Sequence, residues 1–203
     1  MTKPYYWEKA LDHLAHDRVL YKLISSYPDE HLTNYQNPFL TLVRAIVGQQ
    51  ISIKAADAIW KRLAEKTGDI SAESLSRLTE DEMRSCGLSR QKISYIGSLI
   101  LAFKTGSLTP DKWCNMEDSE VRHQLIAIRG IGKWTADMFL IFHLHRPDVF
   151  PLTDIGLVNA IKLHYGKYMT RDDMLKLAQP WRPYRTVATW YLWRSLDGTI
   201  VQY

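Results

Sequence analysis

The chain has 203 residues, a length typical of one domain or of two small lobes that share a core. Hydrophobic residues make up 46% of the chain and charged residues 24%, a balance that excludes an intrinsically disordered protein. The 26 basic and 22 acidic side chains leave a formal net charge of +4, which suits a polyanionic partner without requiring one.

Cysteine content and hydropathy exclude further classes. The chain has two cysteines, Cys86 and Cys114, too few for a four-cysteine zinc or iron–sulfur site or for a disulfide scaffold. The longest apolar runs, such as MFLIF at residues 138–142, are far too short to span a membrane. The first residues lack the apolar core of a secretory signal. We therefore expect a protein of a reducing compartment with no membrane partner.

The apolar residues recur with the period of a helix along most of the chain. In order, the pattern predicts helices around residues 7–19, 39–47, 53–64 and 93–101. Thr79 with Glu82 and Thr170 with Asp173 are capping-box patterns that predict two more helix starts. The predicted helix ends are Gly68, Gly87, Gly106 and Gly166. Since no segment alternates with period two, we predict an all-α fold of about ten short helices.

Residues 118–143 contain two glycines, Gly130 and Gly132, between two helical patterns. One apolar stripe ends at Ile128, and a second helix begins at about Lys133. Two glycines so close together predict a tight hairpin with positive φ and exposed backbone N–H groups that can bind a phosphate. A plain helix end followed by a turn explains the same glycines, so this pattern alone leaves both interpretations open.

The segment DVFPLTDIGL at residues 148–157 contains the second candidate feature, Asp154. Pro151 makes the approach extended, and Thr153 or Asp154 then opens a helix with apolar residues at Ile155 and Val158. Asp is common as a helix N-cap, which explains Asp154 without any function. The alternative is a catalytic carboxylate in a cleft beside the hairpin.

Taken together, the two segments resemble the helix–hairpin–helix DNA glycosylase superfamily and, within it, the DNA-3-methyladenine glycosylase II family. The resemblance covers about residues 30–195, and its motifs are specific in combination and weak singly. The matching segments are RAIVGQQIS (44–52), GLSRQK (87–92), LIAIRGIGKWTAD (125–137), DVFPLTDIGL (148–157) and WRPYRTVA (181–188).

The resemblance implies an all-α fold of two helical lobes with a cleft between them. Residues 1–203 then form a single glycosylase domain, with the helix–hairpin–helix at about residues 118–143. Some family members have an additional N-terminal β-rich domain. The roughly thirty residues before the match are too few for one, so we expect the short form.

The resemblance also implies roles for individual residues. Asp154 matches the catalytic aspartate, and Gln50 lies in the loop that inserts a side chain into the gap left by a flipped nucleotide. The hairpin residues that bind the DNA backbone are Arg129, Gly130, Ile131, Gly132 and Lys133. The base-pocket residues are Trp134, Trp193, Met138 and Ile155. For Trp193, which lies in an apolar helical stripe, core packing is an equally good explanation.

Two departures from the family pattern bear on the reaction. Bifunctional relatives have a lysine nucleophile two residues after the second hairpin glycine, and this position is Trp134 here. Lys133 is adjacent, but neighbouring helix residues face about 100° apart. Ile155 occupies a position that is aromatic in some relatives, which changes one wall of the pocket.

In the family, main-chain carbonyls of the hairpin hold a monovalent cation. The matching carbonyls are those of Ile126, Ile128 and Ile131, so a structural Na⁺ or K⁺ is implied here. We expect no cofactor for catalysis and no iron–sulfur cluster, because the clustered cysteines that a cluster needs are missing.

The implied function is a monofunctional DNA glycosylase of base excision repair that acts on 3-methyladenine- and 7-methylguanine-type bases. The expected partner is double-stranded DNA with alkylated bases, the expected state a monomer, and the expected location the bacterial cytoplasm with its nucleoid or a eukaryotic nucleus. Two alternatives stay open. One is a mismatch- or oxidised-base glycosylase of the same superfamily, and the other is a non-catalytic DNA-binding module.

Overall fold

The computed structural model describes residues 3–33 and 37–196, and within these ranges the chain is helical with no strand. The described residues form twelve α-helices and one 3-10 helix. This confirms the predicted all-α class. The same part of the chain has no helix that is long and apolar enough to cross a membrane.

The chain divides into two compact units. We call residues 3–33 with 140–196 the terminal unit and residues 37–139 the central unit. The terminal unit begins with α1 (Trp7–Leu14) and α2 (Arg18–Ser26). The central unit has α3 (Pro38–Gly48), α4 (Ile53–Thr67), α5 (Ala72–Ser76), α6 (Glu80–Ser85), α7 (Arg90–Lys104), the 3-10 helix Pro110–Asn115, α8 (Asp118–Ile126) and most of α9 (Lys133–Phe142). The terminal unit continues with α10 (Ile155–Tyr165), α11 (Arg171–Leu177) and α12 (Arg185–Arg194).

Helix α3 is the core helix of the central unit and packs against α4 and α7. The Asn37 side chain begins it by accepting a hydrogen bond from the Leu40 amide at 3.1 Å, and Pro38 occupies the first turn. The buried residues of α3 are Phe39, Thr41, Leu42, Val43, Ala45, Ile46 and Val47. A helix buried on so many sides fixes the position of its C-terminal end and of the short loop that follows it.

The terminal unit is built around α12, which packs against α1, α2 and α10. Every residue of α12 from Thr186 to Arg194 is buried. The single helix predicted over residues 7–19 is wrong, because the chain forms two helices there. The Asp17 carboxylate starts the second helix by accepting hydrogen bonds from the amides of Val19 and Leu20 at 2.9 and 3.0 Å.

Local capping signals predicted the helix boundaries well. The capping boxes at Thr79 with Glu82 and at Thr170 with Asp173 are both present. Helices α4 and α10 end at Gly68 and Gly166 as expected. These boundaries depend on residues within one turn of each other, which is why the sequence shows them directly.

Candidate functional site

The hairpin between α8 and α9 requires a glycine at one of its two glycine positions. Gly130 has a φ of +93°, and a Cβ placed on it would lie 2.1 Å from Cγ of the Tyr95 ring. Gly132 has no left-handed φ, and a Cβ there would meet no atom within 4 Å. The expectation of positive φ is therefore confirmed at Gly130 and wrong at Gly132.

The hairpin has buried apolar residues and an exposed polar surface. The side chains of Ile128 and Ile131 are buried, whereas Arg129, Gly132 and Lys133 are exposed. A short ion pair joins the two flanking helices, since Arg122 Nε donates to Oδ1 of the buried Asp137 at 2.6 Å. The loop is thus held to the core while Arg129, Gly132 and Lys133 face solvent, an arrangement suited to a phosphate backbone.

The loop after α3 forms a tight turn with Gln50 at its tip. Gln49 has φ and ψ of −56° and 127°, Gln50 has a φ of +58°, and the Ile51 amide donates to the Gly48 carbonyl at 3.5 Å. These are the features of a type II turn, in which the third residue is normally glycine or asparagine. The structure places an exposed glutamine there instead.

Two side chains of the central unit hold this turn, and neither had a role predicted from the sequence. Gln49 Nε2 donates a hydrogen bond to the Gly130 carbonyl at 2.9 Å. Lys92 Nζ donates to the Val47 carbonyl, in the last turn of α3, at 2.7 Å. Burial lowers the pKa of Lys92. The matched segments RAIVGQQIS and GLSRQK contain both residues, but their partners lie far away along the chain.

Asp154 is the N-cap of α10 and also the partner of a buried tryptophan. Its Oδ1 accepts hydrogen bonds from the Leu157 amide at 2.7 Å and from Trp193 Nε1 at 2.8 Å. Trp193 is 5% exposed and stacks on Phe142, with ring centroids 5.9 Å apart and an interplanar angle of 11°. Trp193 is therefore a core residue whose indole N–H reaches the candidate catalytic carboxylate.

Asp154 is closely packed on the side of Gly156 and borders solvent on the side of Ile155. A Cβ on Gly156 would lie 3.1 Å from Asp154 Oδ1 and 3.5 Å from the Trp193 ring. Ile155, the next residue after Asp154, is 75% exposed. The carboxylate is thus fixed at the helix start by its neighbours, and an apolar side chain projects to solvent beside it.

The remaining predicted pocket residues lie on α9 in the central unit. Trp134 is half-buried and Met138 is 2% exposed. They are four residues apart, and Phe142 follows after four more, so the three side chains share one face of the helix. Lys133 is exposed at the first position of the same helix. The role of Trp134 and Met138 as pocket walls stays a prediction.

Two arginines support the segment that leads to Asp154. Arg185 donates from Nε and Nη2 to the two carboxylate oxygens of Asp148, at 2.6 and 2.9 Å. Arg182 Nε also donates to Asp148, at 3.1 Å. A bidentate pair of this kind is among the stronger side-chain interactions, so Asp148 and the start of the DVFPLTDIGL segment are held to the beginning of α12.

The described residues contain no group of three or more His, Cys, Asp or Glu side chains placed to hold a metal ion. The predicted cation would instead be held by main-chain oxygens of the hairpin. The Ile128 carbonyl accepts a hydrogen bond from the Ile131 amide at 3.0 Å and has a second lone pair. Carbonyl oxygens are ligands of the kind that hard cations take, and a monovalent ion at this hairpin stays a prediction.

The sequence is similar to one family of known proteins over most of its length. Residues 43–183 match the family described as HhH-GPD superfamily base excision DNA repair protein. Over 182 residues the chain is 34% identical to DNA-3-methyladenine glycosylase 1 of Schizosaccharomyces pombe, covering 87% of this chain and 80% of that protein.

Two solved structures resemble the chain along most of its length. A 3-methyladenine DNA glycosylase of S. pombe, in complex with abasic DNA, has a TM-score of 0.80 and 32% identity, covering 92% of this chain and 96% of that one. A DNA-3-methyladenine glycosidase from Bacillus halodurans has a TM-score of 0.79 and 36% identity, covering 90% and 86%.

Proposed function

The chain belongs to the HhH-GPD superfamily of base excision DNA repair proteins, and we propose that it is a monofunctional DNA glycosylase for alkylated purines. The substrate class comes from its relatives, which are named 3-methyladenine glycosylases at 34–36% identity. The observation that carries the proposal is the Asp154 carboxylate, held by the start of α10 and by the Trp193 indole.

Asp154 has the chemistry that hydrolysis of an N-glycosidic bond requires. A purine alkylated at N3 or N7 is cationic and leaves readily, so the reaction needs little help from a general acid. Positive charge then develops on the sugar, as in other glycoside hydrolyses. A carboxylate held in advance at that position stabilises the charge and orients the attacking water. The products are a free base and an abasic site.

The target base must leave the stack before this chemistry can occur. We propose that Gln50, exposed at the tip of its turn, fills the gap that the nucleotide leaves. Aromatic faces attract cationic ligands, which supports the half-buried Trp134 as a residue that favours an alkylated base, whereas the buried Trp193 acts through its hydrogen bond to Asp154. Met138 and Ile155 are proposed as further pocket residues.

The hairpin is the proposed phosphate-binding element, through its exposed residues Arg129, Gly132 and Lys133. A Na⁺ or K⁺ on the carbonyls of Ile126, Ile128 and Ile131 would add positive charge near the DNA backbone. We expect no other cofactor. We further propose a monomer that acts where DNA is found, in the bacterial nucleoid or a eukaryotic nucleus.

The absence of a lyase step follows from Trp134. A Schiff-base mechanism needs an amine with a lowered pKa at the sugar, and an indole cannot supply one. The amine of Lys133 is on the preceding residue, about 100° around the helix. The enzyme should therefore leave intact abasic sites. A covalent adduct trapped by borohydride, and lost in Lys133→Gln, would instead identify Lys133 as a nucleophile.

Mass spectrometry of bases released from methylated duplex DNA tests the function directly. The expected products are 3-methyladenine and 7-methylguanine, with 8-oxoguanine and mismatched bases left in place. Release of oxidised or mismatched bases would assign the protein to another branch of the superfamily. Tight DNA binding without release of any base would make it a non-catalytic DNA-binding module.

A further inference from the structure

The side chain of Gln49 connects two parts of the central unit that are 81 residues apart in the sequence. Its amide Nε2 donates to the main-chain carbonyl of Gly130 at 2.9 Å and lies 3.5 Å from the Thr135 hydroxyl. Gln49 is thus in contact with both the hairpin and the first turn of α9. Its neighbour Gln50, in contrast, is exposed.

The turn that carries Gln50 is in a conformation that its sequence does not favour. A type II turn requires positive φ at its third residue, and for a residue with a side chain this is uncommon. Such a conformation persists where surrounding contacts hold it, and it occurs often at ligand-binding sites. At this turn the contacts come from Lys92, which fixes the end of α3, and from Gln49, which fixes the turn itself.

The Gly130 side of the connection is equally rigid. Gly130 has a φ of +93°, which a residue with a side chain rarely adopts, and it lies against the Tyr95 ring. Because the Gln49 amide binds the Gly130 carbonyl, the position of the turn is set relative to the hairpin. The two elements cannot shift independently without losing this hydrogen bond.

We propose that Gln49 is a positioning residue that sets the register between Gln50 and the phosphate-binding hairpin. The inference rests on the proposed function, in which the hairpin holds the backbone while Gln50 enters the duplex. Insertion into a gap one base pair deep demands that the inserted side chain lie at a fixed place along the bound backbone. The Gln49 amide provides this connection, and Gln49 itself contacts neither the base nor the sugar.

Gln49→Met tests the proposal, because methionine has a similar length and lacks the amide donor. Gln124→Met is a matched control in the same unit. Gln124 also uses its amide in a partly buried network, donating to Thr109 at 3.2 Å and accepting from Trp113 at 2.7 Å. Thermal denaturation of both variants establishes that they fold.

The first readout is single-turnover release of 7-methylguanine from a fully paired duplex and from a duplex that holds the lesion in an unpaired bubble. One hydrogen bond contributes roughly tenfold at most to a rate of this kind. We expect the release rate of Gln49→Met to be about tenfold lower on the paired duplex. On the bubble substrate the rate should fall less than about twofold, because the unpaired lesion leaves no gap in a base stack for Gln50 to fill. The release rate of Gln124→Met should fall less than about twofold on both the paired and the bubble substrate.

The second readout is a double-mutant cycle with Gln50→Ala. If Gln49 acts through Gln50, Gln49→Met should have almost no further effect once Gln50 is alanine. Full additivity, an equal loss on paired and bubble substrates, or an unchanged rate on paired DNA would overturn the proposal. An equal loss in Gln124→Met would overturn it too, because the role would then be merely structural.

Fluorescence of 2-aminopurine next to an abasic site separates failure of the inference from failure of the proposed function. This probe reports insertion into the duplex without any base release. If the wild-type protein released no base, the glycosylase assignment would fail, yet this signal would still test Gln49. A weaker signal in Gln49→Met, at unchanged overall DNA affinity, supports the proposal, and an unchanged signal overturns it.

Discussion

The indole N–H of Trp193 donates a hydrogen bond to Oδ1 of Asp154 at 2.8 Å, across 39 residues of sequence. The same oxygen accepts the Leu157 amide at the start of α10. Two donors on one oxygen fix the rotation of the carboxylate. A residue with the pattern of an ordinary N-cap is therefore held in the manner expected of a preorganised catalytic group.

Asp154→Asn should separate the charge of this residue from its structural role. Asparagine caps a helix about as well as aspartate, so the melting temperature should stay nearly the same. The rate of base release should fall by about 10²–10³-fold, the usual cost of losing one preorganised electrostatic contact. DNA affinity should change little, because phosphate contacts dominate it. A wild-type rate in this variant would remove Asp154 from catalysis.

Trp193→Phe should lower base release through the orientation of Asp154. The substitution keeps an aromatic ring against Phe142 but removes the indole N–H. A hydrogen bond to a charged group contributes about 1.5–3 kcal/mol, so we expect a rate roughly 10- to 100-fold lower.

Trp190→Phe is the matched control for Trp193→Phe. Trp190 is buried on the same helix, with its ring against Trp7 and Tyr191. Comparable losses of activity in the two variants would show that the effect comes from packing of α12 and not from the bond to Asp154.

The two hairpin glycines should respond differently to alanine. Gly130→Ala forces a side chain into a left-handed conformation and against the Tyr95 ring, so the melting temperature should fall by several degrees. The methyl group of Gly132→Ala would contact no neighbouring atom, so the melting temperature should stay the same within about 2 °C. Both substitutions should weaken binding to undamaged duplex DNA, because the proposed function requires the hairpin backbone to lie close to phosphates. Equal melting temperatures for the two variants would contradict this.

Stability should fall on acidification because of His145. Burial, with smaller contributions from His143 and His31, lowers the pKa of His145 from about 6.5 to about 4, although a hydrogen bond with the Thr33 backbone opposes the shift. Between these values the unfolded chain binds more protons than the native one, so the stability rises with pH and is lost as pH falls towards 4.

The melting temperature measured from pH 4 to pH 7 tests this dependence. His145 has a φ of +51°, and asparagine tolerates this conformation without titrating. His145→Asn should therefore flatten the acid side of the profile. His123→Asn, which changes an exposed histidine, should not. Parallel profiles for the wild type and His145→Asn would show that other groups cause the loss.

The amino-acid sequence by itself determined the helical class, most helix boundaries, the hairpin and the position of Asp154 ahead of a helix. These features depend on signals within a few residues, such as the Thr79 capping box and the spacing of apolar side chains. The one clear boundary error, a single helix over residues 7–19, arose because an apolar stripe continues past Asp17 although its carboxylate starts a new helix.

Only the tertiary structure decided what the individual side chains contact. The bond from Trp193 to Asp154, the bond from Gln49 to Gly130 and the packing of Tyr95 on Gly130 all join residues far apart in the sequence. Periodicity shows which face of a helix is buried, but it carries no information on which other helix covers that face. The contact partners are determined only when the helices pack, because side chains from different helices must then fill the interior without voids and satisfy each other's buried hydrogen-bonding groups.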